Sequence, residues 1–230
     1  MKRFIALLLI FILGLFFFQY IKKVDFGKEK WGVSKKYVEE GIEDNRGSNI
    51  VTSIVVNYRG FDTVGEVTVL FLAVTGLSFF LSSFKKKEKK RLVKPSFIVS
   101  SSSTILYPFI LLFGVYIFIH GHLTPGGGFQ GGSVIVTGVL LMMLAQYGYD
   151  PEHKVLSIFE SLSGIGFIVA GFLGFFIAGS FLANKVLPLG EWNRLFSAGI
   201  IPIIYVFIGI KVGSELTGLV SYMMGKGGRR

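Results

Sequence analysis

Long apolar runs alternate with short polar segments along most of the chain. Apolar runs of about 18 residues or more require a bilayer, and backbone groups in hydrocarbon must be bonded internally. No strands of about ten alternating residues appear, so a transmembrane barrel is excluded. The pattern predicts an all-α membrane protein, a six-transmembrane helix bundle. The predicted spans cover residues 4–20, 63–84, 104–119, 133–147, 155–182 and 195–219.

The first predicted span resembles a secretory signal, because Lys2 and Arg3 precede its apolar run. No small-residue cleavage site follows, so we expect an uncleaved helix. Residues 21–49 are polar and of mixed charge, which predicts a solvent-facing loop outside the cell. A loop of nearly thirty residues exceeds an ordinary connection, so we expect a partner protein to hold it.

The second apolar region, residues 50–84, is interrupted by polar residues around Gly60. One straight helix of this length would be roughly 50 Å long, against a hydrocarbon core of about 30 Å. We therefore expect a short entering segment, a break near Gly60 and then the span. A serine run at residues 100–103 predicts the approach to the third span rather than part of it.

Charge supports the membrane assignment and sets an expected orientation. The chain is 51% hydrophobic and 17% charged, whereas soluble domains have about a quarter charged residues. The net charge of +10 comes from bases at the ends of apolar runs, notably residues 2–3, 85–94 and 226–230, which argues against nucleic-acid binding. Because cytoplasmic loops are rich in Lys and Arg, we expect both termini in the cytoplasm of a multi-pass cell-membrane protein.

A glycine-dense segment, residues 120–132, separates the third and fourth predicted spans. Proline and repeated glycine oppose helix propagation, so we expect a tight connector here. His120 and His122 could pass protons near neutral pH, or satisfy backbone groups of the turn. Two histidines without a third ligand do not predict a metal site. The glycines lack the following Gly-Lys-Ser/Thr of a phosphate-binding loop and instead suit close backbone approach.

Ionisable residues inside predicted spans are costly and therefore mark function. Asp62 and Glu66 share a helix face with Arg59, as an ion-path cluster or as a helix cap. Lys211 and Glu215 are spaced i, i+4, which suits an ion pair that either relays protons or pins helices. The candidate ion-path residues are Asp62, Glu66, His120, His122, Glu160, Lys211 and Glu215.

Two stretches resemble known families. Residues 120–134, with the core Gly-His-Leu-Thr-Pro-Gly-Gly-Gly-Phe-Gln-Gly, resemble the MnhB/MrpB subunit of Mrp-type multisubunit cation/proton antiporters. Residues 57–70 resemble the MrpA C-terminal region and a small subunit of archaeal membrane-bound hydrogenase-type complexes. The resemblance implies a two-helix segment at 1–91 and a four-helix MnhB/MrpB-like domain at 92–230. Its motif residues are Arg59, Gly60, Pro125, Gly126, Gly127, Gly128 and Gln130.

The resemblance implies an accessory, non-catalytic membrane subunit of a sodium/proton antiporter module, within a respiratory hydrogenase or sulfur-reducing complex. Its partners would be the other membrane subunits, and it would bind no cofactor or metal itself; Na⁺ or H⁺ would be the transported ion. A purely structural subunit and a stand-alone Mrp antiporter subunit remain alternatives. A self-contained transporter is disfavoured because no internal repeat is visible.

Overall fold

The computed structural model describes residues 2–23, 32–83 and 94–224, apart from the side chains of residues 2 and 3. Every helix and strand assignment in these ranges is helical, so the predicted all-α class is confirmed. The helices are α1 (Lys2–Lys23), α2 (Val33–Asn45), α3 (Ile50–Ser53), α4 (Gly60–Ser83), α5 (Phe97–Ile119), α6 (Gly128–Ala145), α7 (His153–Ala178) and α8 (Ile201–Met223). A π-helical turn covers Ile54–Tyr58, and a 3₁₀ turn covers Asn184–Val186.

Within the described ranges, six helices are long and apolar enough to cross a membrane: α1 and α4 to α8. The predicted number of spans is therefore confirmed, and the break before the second span falls at Arg59, next to the predicted Gly60. Three boundaries differ. The third span begins at Phe97 and includes the serines, the fourth begins at Gly128 inside the glycine segment, and the fifth ends at Ala178.

The serine run is helical because its side chains find partners close by. Ser103 and Thr104 donate hydrogen bonds to the Ser100 carbonyl, at 2.8 and 3.0 Å. Gln146, at the end of α6, donates to the same carbonyl at 2.6 Å and to Thr104 Oγ1 at 2.8 Å. These bonds satisfy polar groups that would otherwise compete with the helix, and they fix α5 to α6.

The chain divides into two compact units, Met1–Lys36 and Tyr37–Arg230. The first contains α1, whose residues Phe4–Lys23 are apolar enough to span a bilayer. In the second unit, α8 is the central helix, packed against α4, α5, α6 and α7. It is the most buried of the apolar helices, with 56% of its most apolar window buried. A functional group on α8 is therefore surrounded by protein rather than lipid.

Small residues allow α6 to approach α8 closely. A Cβ atom added at Gly128 would lie 2.6 Å from Ile208 Cβ, and one at Gly132 would lie 2.8 Å from Val212 Cβ. Such small-xxx-small spacing is a common basis of helix packing in membranes. The prediction that the whole glycine segment is a connector is therefore wrong at its end. Its last glycines form the first turns of α6 because the tight crossing with α8 requires them.

The second unit has two ends. At the loop end, α4, α6 and α8 begin and α5 and α7 finish; at the cleft end, α7 begins and α8 finishes. The predicted loop at residues 21–49 is wrong for its second half, which forms α2. This helix is anchored at Asn45, which is fully buried. Trp31, predicted at the interface, lies outside the described residues, as do most of the basic residues at 85–94 and 226–230.

Candidate ion-path site

The centre of the second unit holds an ion pair on α8. Lys211 Nζ lies 3.2 Å from Glu215 Oε2, and the two side chains are 10% and 1% exposed. The ammonium also lies 5.1 Å from the centre of the Phe71 ring of α4. On the opposite side α7 contributes Gly164, where an added Cβ would come within 4.0 Å of Nζ. The predicted i, i+4 pair is therefore formed, and three helices enclose it.

A polar cleft leads from the cleft end to this pair. Its volume is about 840 Å³, and it runs between α4, α7 and α8. Its hydroxyl-bearing residues are Thr75, Ser78, Ser157, Ser161, Ser214 and Tyr222. Glu160 and Glu215 supply carboxylates to the walls, and Glu160 lies within electrostatic range of Glu215. The cleft therefore joins the buried carboxylate to the end of the bundle at which α7 begins.

The mouth of the cleft contains a cluster absent from the sequence predictions. Ser221 Oγ donates to Asp150 Oδ1 at 3.0 Å and lies 3.2 Å from His153 Nε2. His153 Nε2 is 3.7 Å from the same carboxylate oxygen, and the His153 ring contacts Tyr222. His153 lines the cleft. Because Ser221 is about seventy residues away in sequence, spacing alone could not have revealed this cluster.

Polar groups at the loop end are largely paired with one another. The Tyr205 hydroxyl donates to Thr52 Oγ1 at 3.0 Å, which in turn donates to the Gly121 carbonyl at 2.6 Å. The Asn49 side chain donates to the Gly121 and Thr124 carbonyls at 2.8 and 3.0 Å. This chain of bonds fastens α3 and the turn after α5 across the start of α8.

A second network ties α2, the π turn and the 3₁₀ turn together. The Asn45 carbonyl oxygen accepts from the side-chain amides of Asn57 and Asn184, at 2.8 and 2.7 Å. Nearby, Tyr58 donates to Asp44 Oδ2 at 2.7 Å. Burial and this hydrogen bond raise the pKa of Tyr58 to about 12. Both networks make the loop end a fastened structure, in contrast with the cleft end.

The predicted cluster on α4 is only partly assembled. Arg59 forms an ion pair with Asp62, and both side chains are about half exposed or more. Glu66 is exposed on the surface of the second unit, one and a half turns into α4. It has no ion-pair partner among the described residues, although it lies within electrostatic range of Tyr205. Glu66 and the Lys211–Glu215 pair are therefore separate features of the molecule.

The two histidines of the glycine segment differ sharply. His120 is partly exposed, with its ring stacked 4.2 Å from Tyr116 and its Nδ1 3.1 Å from the Tyr116 carbonyl. His122 is fully buried, and neither ring nitrogen has a well-aligned partner among the described residues. Burial lowers the pKa of His122, opposed in part by the backbone of Arg194 and Leu195. Neither histidine lines the cleft.

The remaining motif residues have structural positions around the α5–α6 turn and the start of α4. Gly127 has φ +154°, a backbone conformation that L side chains rarely adopt. A Cβ added at Gly126 would lie 2.8 Å from a carbonyl of α5, and one at Gly60 would lie 3.1 Å from Leu182. Pro125 and Gln130 are exposed on the surface of the second unit. None of these five lines the cleft.

Six apolar helices with a buried ion pair on the central helix of the second unit define a multi-pass membrane protein. The family described as the domain related to the MnhB subunit of Na⁺/H⁺ antiporter matches residues 98–218, and the MbhE family, whose members are a subunit of MBH, matches residues 3–92. The chain belongs to the MnhB family, as its glycine segment predicts. The division into segments at 1–91 and 92–230 stays a prediction.

Three similar proteins illustrate the relationship. An uncharacterized protein of Methanocaldococcus jannaschii is 29% identical over 196 residues, which is 74% of each chain. A Na⁺/H⁺ antiporter subunit of Bacillus subtilis is 36% identical over 91 residues, covering 39% of this chain and 61% of the relative. A chain of the membrane-bound sulfane sulfur reductase, an archaeal respiratory membrane complex, is 44% identical, with a TM-score of 0.83 and coverage of 96% and 97%.

Proposed function

We propose that this chain is an accessory membrane subunit of a multisubunit Na⁺/H⁺ antiporter module within a respiratory complex of the sulfane reductase or hydrogenase type. In this proposal the chain itself is non-catalytic and binds no cofactor, and it contributes part of a cation or proton path. The 44% identity to a sulfane reductase chain over nearly its whole length supports this type of assembly.

The observation that carries the proposal is the Lys211–Glu215 pair at the head of the polar cleft. An ion pair that only pinned helices would not need a polar cavity beside it. Buried ionisable groups in a membrane that face a polar cavity are typical of ion and proton paths. The predicted ion-path roles of Asp62, Glu66, His120 and His122 lack such a cavity, so the proposal gives the central role to Lys211, Glu215 and Glu160.

The proposal places both termini and the cleft end in the cytoplasm. The bases at residues 85–91 follow α4 at the cleft end of the bundle. Because an excess of Lys and Arg marks cytoplasmic loops, the cleft would open toward the cytoplasm. Labelling of single cysteines at each end of the second unit from one side of sealed vesicles tests this orientation, since the chain has no cysteine of its own.

Substitution in the assembled complex tests the functional role. Glu215→Gln keeps the shape of the side chain but removes its charge, and should abolish sodium-driven proton movement in inverted membrane vesicles. Glu191→Gln is the matched control, because Glu191 is exposed and pairs with Arg194 outside the helices. Subunit content of each purified complex must first equal that of the wild type. Unchanged exchange with Glu215→Gln in an intact complex would favour the structural alternative.

Gentle purification of the complex tests the type of assembly. Nickel and iron–sulfur proteins among the partners would select a hydrogenase, and sulfur-reducing subunits would select the sulfane reductase type. Mrp subunits without redox partners would select the stand-alone antiporter. Cation exchange by this chain reconstituted alone would contradict an accessory role.

A further inference from the structure

We propose that His153 is the proton-loading group of the cleft, held at its mouth by Asp150 and Ser221, and that it supplies protons to Glu160 and Glu215. The inference rests on the proposed function of the Lys211–Glu215 pair and adds the entrance to that path and the identity of the ion that enters. It assigns roles to three residues that no sequence pattern marks as functional.

The first step is the geometry of the mouth. Ser221 is fully buried on α8, and its single hydroxyl proton is directed to Asp150 Oδ1 at 3.0 Å. The lone pairs of Ser221 Oγ are therefore free to accept from His153 Nε2, which lies 3.2 Å away. Asp150 Oδ1, at 3.7 Å from Nε2, is close enough to attract the imidazole when it carries a proton. Asp150 and Ser221 thus hold the ring by one nitrogen, and leave Nδ1 without a hydrogen-bond partner among the described residues.

The second step is the route from the mouth. His153 and Glu160 lie two turns apart on α7, about 10 Å along the helix, and both line the cleft. The cleft volume of about 840 Å³ far exceeds the ~30 Å³ that one water molecule takes in the liquid. Its serine and threonine hydroxyls can donate and accept hydrogen bonds, so they can order a chain of waters. The route finishes at Glu215, whose buried oxygens have no well-aligned hydrogen-bond donor among the described residues.

The third step is the choice of ion. A sodium ion at Glu215 would sit beside the Lys211 ammonium, which is already 3.2 Å from the carboxylate. Like charges so close together repel strongly in a poorly solvated site. A proton instead neutralises Glu215 and needs no coordination shell. Imidazole at the entrance also takes up protons near neutral pH and offers no oxygen ligand. The combination favours a proton relay of the His and Glu type.

The charged and titratable groups around His153 come from two helices and one turn. The turn contributes Asp150, α7 contributes Lys154 and Glu160, and α8 contributes Tyr222 and, deeper in the cleft, the Lys211–Glu215 pair. The α4 wall contributes Val74, Thr75 and Ser78, which do not titrate. In the relay, imidazolium releases its proton through the cleft to the Glu160 carboxylate, which passes it to Glu215. Neutral His153 then takes the next proton from solvent.

Substitution of His153 tests this role in the intact complex. His153→Gln retains an amide that can bond to Ser221 but cannot carry a proton. We expect most of the proton movement in inverted vesicles to be lost at and above neutral pH, and imidazole added to the buffer to restore it. The control is Glu152→Gln, an exposed neighbour outside the cleft, which should behave as wild type with or without imidazole. A wild-type rate in His153→Gln, or a loss that imidazole leaves unchanged, overturns the inference.

Accessibility gives a second test that does not depend on transport. Ser161 lines the cleft, whereas Ser163, two residues along the same helix, is buried outside it. A membrane-impermeant thiol reagent added from the His153 side should label Ser161→Cys and spare Ser163→Cys. Equal protection of both would overturn the water-filled route. If Glu215→Gln abolishes exchange while His153→Gln does not, this inference fails alone; if Glu215→Gln has no effect, the proposed function itself fails.

Discussion

Replacing Lys211 by methionine should destabilise the protein more than replacing both members of its ion pair. At 3.2 Å, two unit charges attract each other by about 5 kcal/mol with an effective dielectric constant of about 20. Most of this attraction offsets the loss of water around the two charges. Removing one partner leaves Glu215 as an uncompensated buried charge, which costs about 3–5 kcal/mol, whereas replacing both by neutral groups of similar volume costs little.

The assay is the midpoint temperature at which the purified complex loses this subunit on heating, measured for the wild type, Lys211→Met, Glu215→Gln and the double variant. For a chain of this size, about 2–4 °C per kcal/mol predicts a fall of roughly 6–20 °C for Lys211→Met. The double variant should recover to within a few degrees of the wild type. If its midpoint fell by the full amount of both single changes together, the pair would not be coupled and the reasoning would be refuted.

Three further variants probe the packing and the loop end. Gly132→Ala should cost about 1–3 kcal/mol in the same heating assay, since its Cβ would overlap α8. Gly76→Ala, a helical glycine with nothing within 4 Å, should be neutral or slightly stabilising. Asn45→Ala leaves two amides without their acceptor, at about 1–3 kcal/mol each, and should speed hydrogen exchange in the 3₁₀ turn. Because burial lowers the pKa of His122, the unfolded state binds the proton more tightly, so stability should fall as pH drops below about 6.5. His122→Gln should remove this dependence in denaturant titrations and His120→Gln should not; identical pH profiles would contradict the assignment.

The number of spans could be predicted because it depends on a property of the sequence alone, the length of each apolar run. The boundaries depend on tertiary partners. A run of serines disfavours a helix until Gln146 bonds to its carbonyls, and glycines disfavour one until α8 packs against them. Local preference was therefore overridden where another helix supplied the missing hydrogen bonds or contacts. The same applies to α2, which the polar composition of residues 21–49 concealed and which Asn45 fastens to the π turn.

The candidate site divides in a similar way. The Lys211–Glu215 pair could be predicted because both residues lie on one helix, where i, i+4 spacing brings them together. The enclosure of that pair by Phe71 and Gly164 depends on the packing of α4 and α7, which no spacing reveals. The cleft mouth combines a turn with the far end of α8 and was missed for the same reason. The expected cluster on α4 failed because Glu66 points to the surface instead of joining Arg59 and Asp62.

The contrast between the two ends of the second unit bears on whether this chain could act alone. At the cleft end a polar cavity reaches Glu215, whereas at the loop end the polar groups of Thr52 and Tyr205 are bonded to each other and to the Gly121 carbonyl. A continuous route through this chain would have to break those bonds. A carboxylate exposed within a membrane-spanning helix, such as Glu66, is costly in lipid and is expected to face protein or water. A cation leaving Glu215 is therefore better served by a lateral exit toward a neighbouring subunit than by the fastened loop end. This geometry favours an accessory subunit over a self-contained transporter.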